Sequence, residues 1–307
     1  MSPRVVFFGS PEFALPSLEK LCGKYTVVGV VSQPDRPSGR GKVLTAPPVK
    51  VFAAEHGLPV LQPEKLKDPG VVEKLQEWAA EVYVVAAFGQ IFRKNILTIP
   101  QYGLINVHAS LLPRWRGASP IQSAILHGDS VTGVTIMRID EGIDTGDMLS
   151  QKEFPIDESI TAGELSFQLA ALGADLLLDT LPGYLNGSIQ PVAQPADGAT
   201  YASMISKEDA WLDLSQPMEV NLRKIRAFSP WPIARVELAG TVIQIHKAHG
   251  IPAGAGKPGT PYIYQGWPVI ASQGGLIVLE QLQLPGKRIM DGKSFLAGYP
   301  GWGTKLA

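Results

Sequence analysis

A single cysteine, Cys22, stands in 307 residues. One thiol cannot form a disulfide framework, and it cannot supply the several sulfurs of a thiolate zinc cluster. Cys22 follows Leu21 at the end of an apolar helical pattern, so it is read as a packing residue. Histidine is scarce too, at five, and His-Glu-x-x-His is absent. No metal site is expected, and His56, His127, His246 and His249 are read as surface or packing residues. Long apolar runs are missing. The opening MSPRVVFFGS holds a five-residue run after one Arg, too short for a signal-peptide core or a membrane span. With no Arg-rich, acid-poor leader before it, the expectation is a soluble, cytoplasmic protein. Gly9-Ser10-Pro11 follows the first apolar run, but G-x-G-x-x-G does not. G-x-x-x-x-G-K-[ST] and G-x-S-x-G are likewise absent, so dinucleotide, phosphate-loop and serine-elbow readings fail. There are no internal repeats and no low-complexity tracts.

Hydrophobic residues make up 45% and charged residues 18%, a composition that folds around a sizeable core. The length suggests roughly two domains at about 100–200 residues each. Net charge is −1 overall but uneven. Residues 1–208 carry −5 and residues 209–307 carry +4. A basic last third fits a domain that tracks phosphates. It equally fits ordinary surface variation.

Apolar runs at 4–8, 27–32, 82–86, 104–108 and 134–138 read as strands, and Phe13 to Leu21 as a helix. Runs without alternation suggest strands buried on both faces. The fold class is therefore α/β, a doubly wound and mostly parallel sheet. In such sheets the ligand lies beyond the carboxyl ends of the strands. A long helix spans 161–185, with leucines at helical spacing, a Thr161/Glu164 capping box, and Asn186-Gly187 as its stop. The domains are read as 1–186 catalytic, 187–208 linker and 209–307 C-terminal. After a short helix, 220–228, the last domain shows short strands at 234–238, 241–248, 268–271 and 275–283. That is the pattern of a small all-β unit.

The richest stretch is GLINVHASLLPRWRGASPIQSAILHGDSVTGVTIMRIDEGIDTGDM, Gly103 to Met148. Asn106 and His108 sit at a strand's end, two residues apart and so on one face. Asp144 lies in a Gly-rich turn. An amide and an imidazole can hold a developing oxyanion. A carboxylate can pair with the imidazole and take a proton, directly or through a water. This is equipment for moving an acyl group between nitrogens. Two leucines in the turn Ser110-Leu111-Leu112-Pro113 are poor surface residues unless they line a pocket. Phe88, Gly89 and Ile91, beyond the 82–86 strand, either flank the same pocket or pack in the core. Arg114, Trp115 and Arg116 form a cation–aromatic cluster that suits glutamate, RNA or an internal ion pair. The long loop 33–50 carries Arg36, Arg40, Lys42 and Lys50 against one acid, Asp35, and a loop of this length is usually functional.

These segments resemble the 10-formyltetrahydrofolate-dependent formyltransferases. The likeness rests on FFGSPEFALPSL, QPDRPSGRGK at 33–42, SLLPRWRGASPIQ at 110–122, Asn-x-His…Asp, and IRAFSPWP at 225–232. The last segment and the GRGK loop point to the tRNA-modifying branch. The resemblance implies a Rossmann-like formyltransferase domain with a C-terminal oligonucleotide-binding-like (OB-like) barrel. It implies catalytic Asn106, His108 and Asp144, with a folate pocket at Ser110, Leu111, Leu112 and Pro113. It implies 10-formyltetrahydrofolate as cosubstrate, with no permanently bound cofactor. The acceptor is initiator methionyl-tRNA, held at its acceptor stem by the loop of Arg36, Arg40 and Lys42. Phosphate contacts are expected near Arg223, Lys224 and Arg226, and the protein is expected to act as a monomer. The alternatives are formylation of an amino-sugar nucleotide, hydrolysis of the folate donor, and a catalytically silent binding module.

Overall fold

The computed structural model describes residues 2–38, 41, 43–238, 240–252 and 256–306. In chain order the elements begin β1 (Arg4–Gly9), α1 (Leu15–Lys24), β2 (Thr26–Val31), β3 (Arg36–Ser38), β4 (Val43–Thr45), α2 (Pro48–Glu55), β5 (Val60–Leu61) and α3 (Val71–Glu77). Next come β6 (Val82–Ala86), α4 (Lys94–Leu97), β7 (Leu104–His108), β8 (Arg116–Gly117), α5 (Pro120–His127), β9 (Val131–Arg138), β10 (Met148–Pro155), α6 (Ala162–Leu185) and β11 (Tyr201–Ala202). The chain closes with α7 (Met218–Ala227), β12 (Ala234–Leu238), β13 (Thr241–Pro252), β14 (Pro261–Tyr264), β15 (Trp267–Ser272), β16 (Gly275–Gln283), β17 (Met290–Asp291), α8 (Gly292–Gly298) and β18 (Thr304–Lys305).

Two compact units result. The first takes the residues up to Pro120, Val131–Pro155 and Ser166–Ser203; the second takes Ile121–Ser130, Ile156–Leu165 and the residues from Met204. The first unit holds a seven-stranded sheet in the order β10-β9-β7-β6-β1-β2-β5. The strands from β7 to β5 run parallel, β9 runs antiparallel to β7, and β10 antiparallel to β9. The parallel strands are the unbroken apolar runs of the sequence; Val82–Ala86, for example, is buried throughout. On one face Val6, Phe8, Tyr83 and Val85 pack with Val71, Leu75 and Trp78 of and beside α3. Side chains of α1 and α6 are joined by the ion pair Lys20–Asp175. The order reverses at β1, which lies between β2 and β6. That reversal opens a crevice at the carboxyl ends of the strands.

β10 was not legible in the sequence. Its residues, MLSQKEFP, are half-buried or exposed at the sheet edge, so no apolar run marks it. The segment 187–208 is also more than a connection. Val192 bridges Met148, and β11 pairs in parallel with β8. It lies as a strap along the first unit.

The second unit is built on an antiparallel sheet in the order β12-β13-β16-β15-β14-β18, with β18 parallel to β14 and β17 paired to β16. β13 is long and bulged near His246, pairing β12 with its first half and β16 with most of its length. Ile225 of α7 and Phe295 of α8 close a core with Ile243, Ile245, Ile270 and Ile277. Among the described residues no helix is long and apolar enough to cross a membrane.

Candidate active site

β7 delivers the site. It lies between β6 and β9, with Asn106 opposite Val85 and Met137, and His108 opposite Thr135. Asn106 is half-buried and His108 is buried. His108 Nε2 lies 3.0 Å from the carbonyl oxygen of Trp115. A carbonyl can only accept, so Nε2 carries a proton and donates it. The other nitrogen, Nδ1, faces Asp144 Oδ2 at 3.7 Å. That is beyond hydrogen-bond range, and the two carry opposite charges only when the ring holds a second proton.

Both partners of His108 sit in left-handed backbone. Trp115 has φ +61° and Asp144 φ +51°, a region that costs an L-residue about 1–2 kcal/mol. The surroundings hold them there. The Trp115 N–H donates to Thr200 Oγ1 at 2.9 Å. The Gly117 N–H donates to Asp144 Oδ2 at 2.8 Å. Gln194 Nε2 donates to the carbonyls of Asp144 and Gly146, both at 2.8 Å. Gly117, with φ +110°, has room for no Cβ, which would stand 2.6 Å from the Ala202 carbonyl oxygen. The strap therefore passes directly over the dipeptide that holds Asp144.

The turn 110–113 is organised by buried Thr135. Its hydroxyl donates to Ser110 O at 2.7 Å and accepts from the Leu112 N–H at 3.1 Å. Gln151 Nε2 donates to both Leu112 O and Thr135 Oγ1 at 2.9 Å. The Ser110 hydroxyl donates to Arg114 O. Pro113 follows a cis bond from Leu112. Leu112 is buried and Leu111 packs over Gly133, which accounts for two leucines in a turn without appeal to a ligand. Phe88 is buried edge-on to Phe8. Gly89 and Ile91 line a depression of about 450 Å³ with Glu64, Lys65, Lys67 and Arg93, and Ile91 is 74% exposed. Of the three residues placed beyond β6, one is thus core and two reach a concave surface.

The segment 33–50 is a small ribbon, β3 paired antiparallel with β4, running on into α2. Lys50 and Gln62 both bond the Asp35 carboxylate, holding it below the usual carboxylate range. Arg36 pairs with Glu64 at 2.8 Å. Arg40 and Lys42 lie outside the described residues. Arg223, Lys224 and Arg226 do not form a free basic row. Lys224 Nζ donates to Trp211 O and Arg226 Nη1 to Ile160 O. The Arg223 guanidinium lies against Gly128. Burial pulls Lys224 and Arg226 below their usual values. At α7's carboxyl end such cations also suit the helix dipole.

Arg116 resolves part of the cation–aromatic cluster. Its Nε and Nη2 fork onto Gln194 Oε1 at 3.0 and 2.7 Å, while Arg114 stacks over the Trp115 ring at 4.3 Å. Gln194, Thr200, Gly117 and Thr135 were not foreseen. Gln194 and Thr200 stand in a Pro- and Gly-rich stretch without periodicity, and the backbone groups they bond leave no mark in sequence. Cys22 is half-buried and burial pushes its thiol up, away from nucleophilic use. Among the described residues no three His, Cys, Asp or Glu side chains gather as metal ligands would.

A buried imidazole, a strand-end amide and a held carboxylate beyond the strands of an open α/β sheet define an acyl-transfer class of site. Residues 4–181 match the model of the formyl transferase family, and residues 204–300 match that of the formyl transferase C-terminal domain. The chain belongs to the formyl transferase family. It is 46% identical over 299 residues to a methionyl-tRNA formyltransferase from Myxococcus xanthus, covering 97% of this chain and 95% of that protein. It is 45% identical over 307 residues to one from Geobacillus thermodenitrificans, covering 99% and 95%. In fold it is similar to an N-formyltransferase from Helicobacter canadensis solved with folinic acid and dTDP-3-aminofucose. The TM-score is 0.67 at 20% identity, over 91% of this chain and 99% of that one, a likeness that speaks for the fold alone.

Proposed function

We infer that this chain transfers the formyl group of 10-formyltetrahydrofolate to the free amino group of initiator methionyl-tRNA. The bond from the formyl carbon to the folate nitrogen breaks, and an amide bond to the methionyl nitrogen forms. The proton lost by the amine ends on the folate nitrogen. The observation that carries the reading is the pairing of His108 with Asp144 beside Asn106, in a chain that matches methionyl-tRNA formyltransferases along 97% of its length.

His108 keeps Nε2–H on the Trp115 carbonyl, which fixes the ring. When the ring carries a second proton, that N–H lies on the Asp144 side, and Asn106 supplies an amide from the same strand end. The two donors then share the formyl oxygen as negative charge builds on it, an arrangement in which one donor is typically worth about 10²–10³ in rate. Asp144 stabilises the charged imidazole and collects the amine proton. Ser110, Leu111, Leu112 and Pro113 form the wall towards the pterin, with Gly89 and Ile91 further along it. Arg36, with Arg40 and Lys42 further along the same basic segment of sequence, holds the acceptor end of the tRNA. Arg223, Lys224 and Arg226 would contribute through the phosphate field rather than as direct ligands. The protein is read as a monomeric enzyme. Charged tRNA and the folate donor are cytoplasmic, which supports the same location for the protein.

The test offers three acceptors with labelled 10-formyl donor: methionyl-tRNA, a dTDP-amino sugar, and water alone. The expected product is N-formylmethionyl-tRNA. Formylated sugar, or free formate released at the same rate without tRNA, would favour another member of the family's chemistry.

A further inference from the structure

Three bonds hold the Asp144–Gly146 turn, one from Gly117 and two from Gln194. The Gly117 N–H takes the carboxylate. Gln194 takes the carbonyls of Asp144 and Gly146 through a single amide nitrogen. The oxygen of that same amide receives the fork of Arg116, the residue before Gly117. A side-chain amide can flip, and its two ends would then exchange roles. Here a guanidinium, which can only donate, fixes the oxygen end and leaves the nitrogen end to the turn. The cation also polarises the amide and strengthens its donation. Gln194 is fixed in its turn by the strap. Val192 bridges Met148 on one side, and Thr200 to Ala202 lie along Arg116 to Ala118 on the other.

We propose that Gln194, locked by Arg116, is a positioning residue for formyl transfer: it holds the left-handed Asp144 turn so that the carboxylate stays opposite His108. The proposal rests on the formyl-transfer reading of the site. Gln194 touches no reacting atom. Its effect passes through Asp144, and a shift of about 1 Å at a reacting group can cost on the order of a hundredfold.

Two substitutions separate positioning from mere support of the strap. Gln194→Ala removes both ends of the lock. Gln194→Glu keeps an acceptor for Arg116, so the strap stays anchored, but it cannot donate to the Asp144 and Gly146 carbonyls. Both variants should lower kcat by roughly ten- to a hundredfold, with KM for donor and for methionyl-tRNA within about twofold of wild type. The thermal midpoint of Gln194→Glu should stay near that of wild type. In an Asp144→Ala background, Gln194→Ala should cause no further loss, because the group it acts through is gone. Amide exchange gives a readout independent of activity. The Gly117 amide and the 142–147 turn should exchange at least about tenfold faster in both variants, with the β6 and β7 amides unchanged.

Wild-type turnover in Gln194→Glu would overturn the proposal. So would equal loss from Gln194→Ala with and without Asp144, or unchanged exchange in the turn. If Gln194→Ala does not fold, Gln194→Glu carries the test alone. The exchange result stands whether or not the chain formylates methionyl-tRNA, so failure of the lock and failure of the functional reading give different outcomes.

Discussion

His108 and Asp144 face each other at 3.7 Å, and neither is held by the other. The imidazole is fixed through the Trp115 carbonyl and the carboxylate through the Gly117 N–H. The gap between them is therefore set by backbone. This makes Gly117 a sensitive position. A methyl group there meets the Ala202 carbonyl at 2.6 Å in a φ of +110°, where strain runs to about 1–3 kcal/mol. Gly117→Ala should lower the thermal midpoint and cut kcat at least roughly tenfold by moving the N–H off Asp144. Unchanged turnover in a folded Gly117→Ala protein would show that this bond does not position the carboxylate. At this scale the sequence was informative where residue type and spacing single out a side chain. A strand-end Asn-x-His and an Asp in a Gly-rich turn stand out by residue type and spacing. It was mute where side chains act on backbone, as Gln194 and Thr135 do. It also placed Arg223, Lys224 and Arg226 as phosphate ligands from charge alone, which says nothing of the carbonyls that occupy two of them.

Among the elements, the apolar strands and the long helix were legible because burial on both faces and leucine spacing write themselves into composition. The polar edge strand β10 and the strap were not. The helix start is a clear case of a local signal surviving into structure. The Thr161 N–H and hydroxyl bond the Glu164 carboxylate, and the Glu164 N–H returns to Thr161 Oγ1. Those bonds hold the Glu164 carboxyl below its usual range. A lowered carboxylate pKa stabilises the fold above the unfolded value, and that stabilisation is lost as pH falls through the folded value. Thr161→Ala should cost about 0.5–2 kcal/mol at neutral pH, and the deficit should shrink as Glu164 is protonated. Urea unfolding of both proteins at neutral pH and near about pH 3 checks this; a deficit that does not vary with pH would remove the capping box as its cause. The 33–50 segment gives a second element-scale test. Two of its cations are paired with acids, Arg36 with Glu64 and Lys50 with Asp35, and Arg40 is among the proposed tRNA contacts. Arg40→Leu should lower kcat/KM for methionyl-tRNA on the order of tenfold or more, with the donor KM nearly unchanged. Movement of the donor curve instead would assign the ribbon to the folate pocket.

Over the whole molecule, the first two-thirds of the chain is acidic and the last third basic. Net charge alone hid this, since the chain sums to −1. Association with tRNA should weaken steeply with salt while donor binding changes little. Formyl transfer to methionyl-tRNA is proposed to run on the Asn106–His108–Asp144 constellation. Single-turnover transfer from labelled 10-formyltetrahydrofolate to methionyl-tRNA, by wild type and by His108→Ala at matched donor occupancy, tests it most directly. Wild type should give donor-dependent N-formylmethionyl-tRNA, and His108→Ala at least roughly a hundredfold slower transfer with donor binding within about threefold. Transfer by His108→Ala at the wild-type rate, or no transfer by a wild-type protein that has bound its donor, would contradict it.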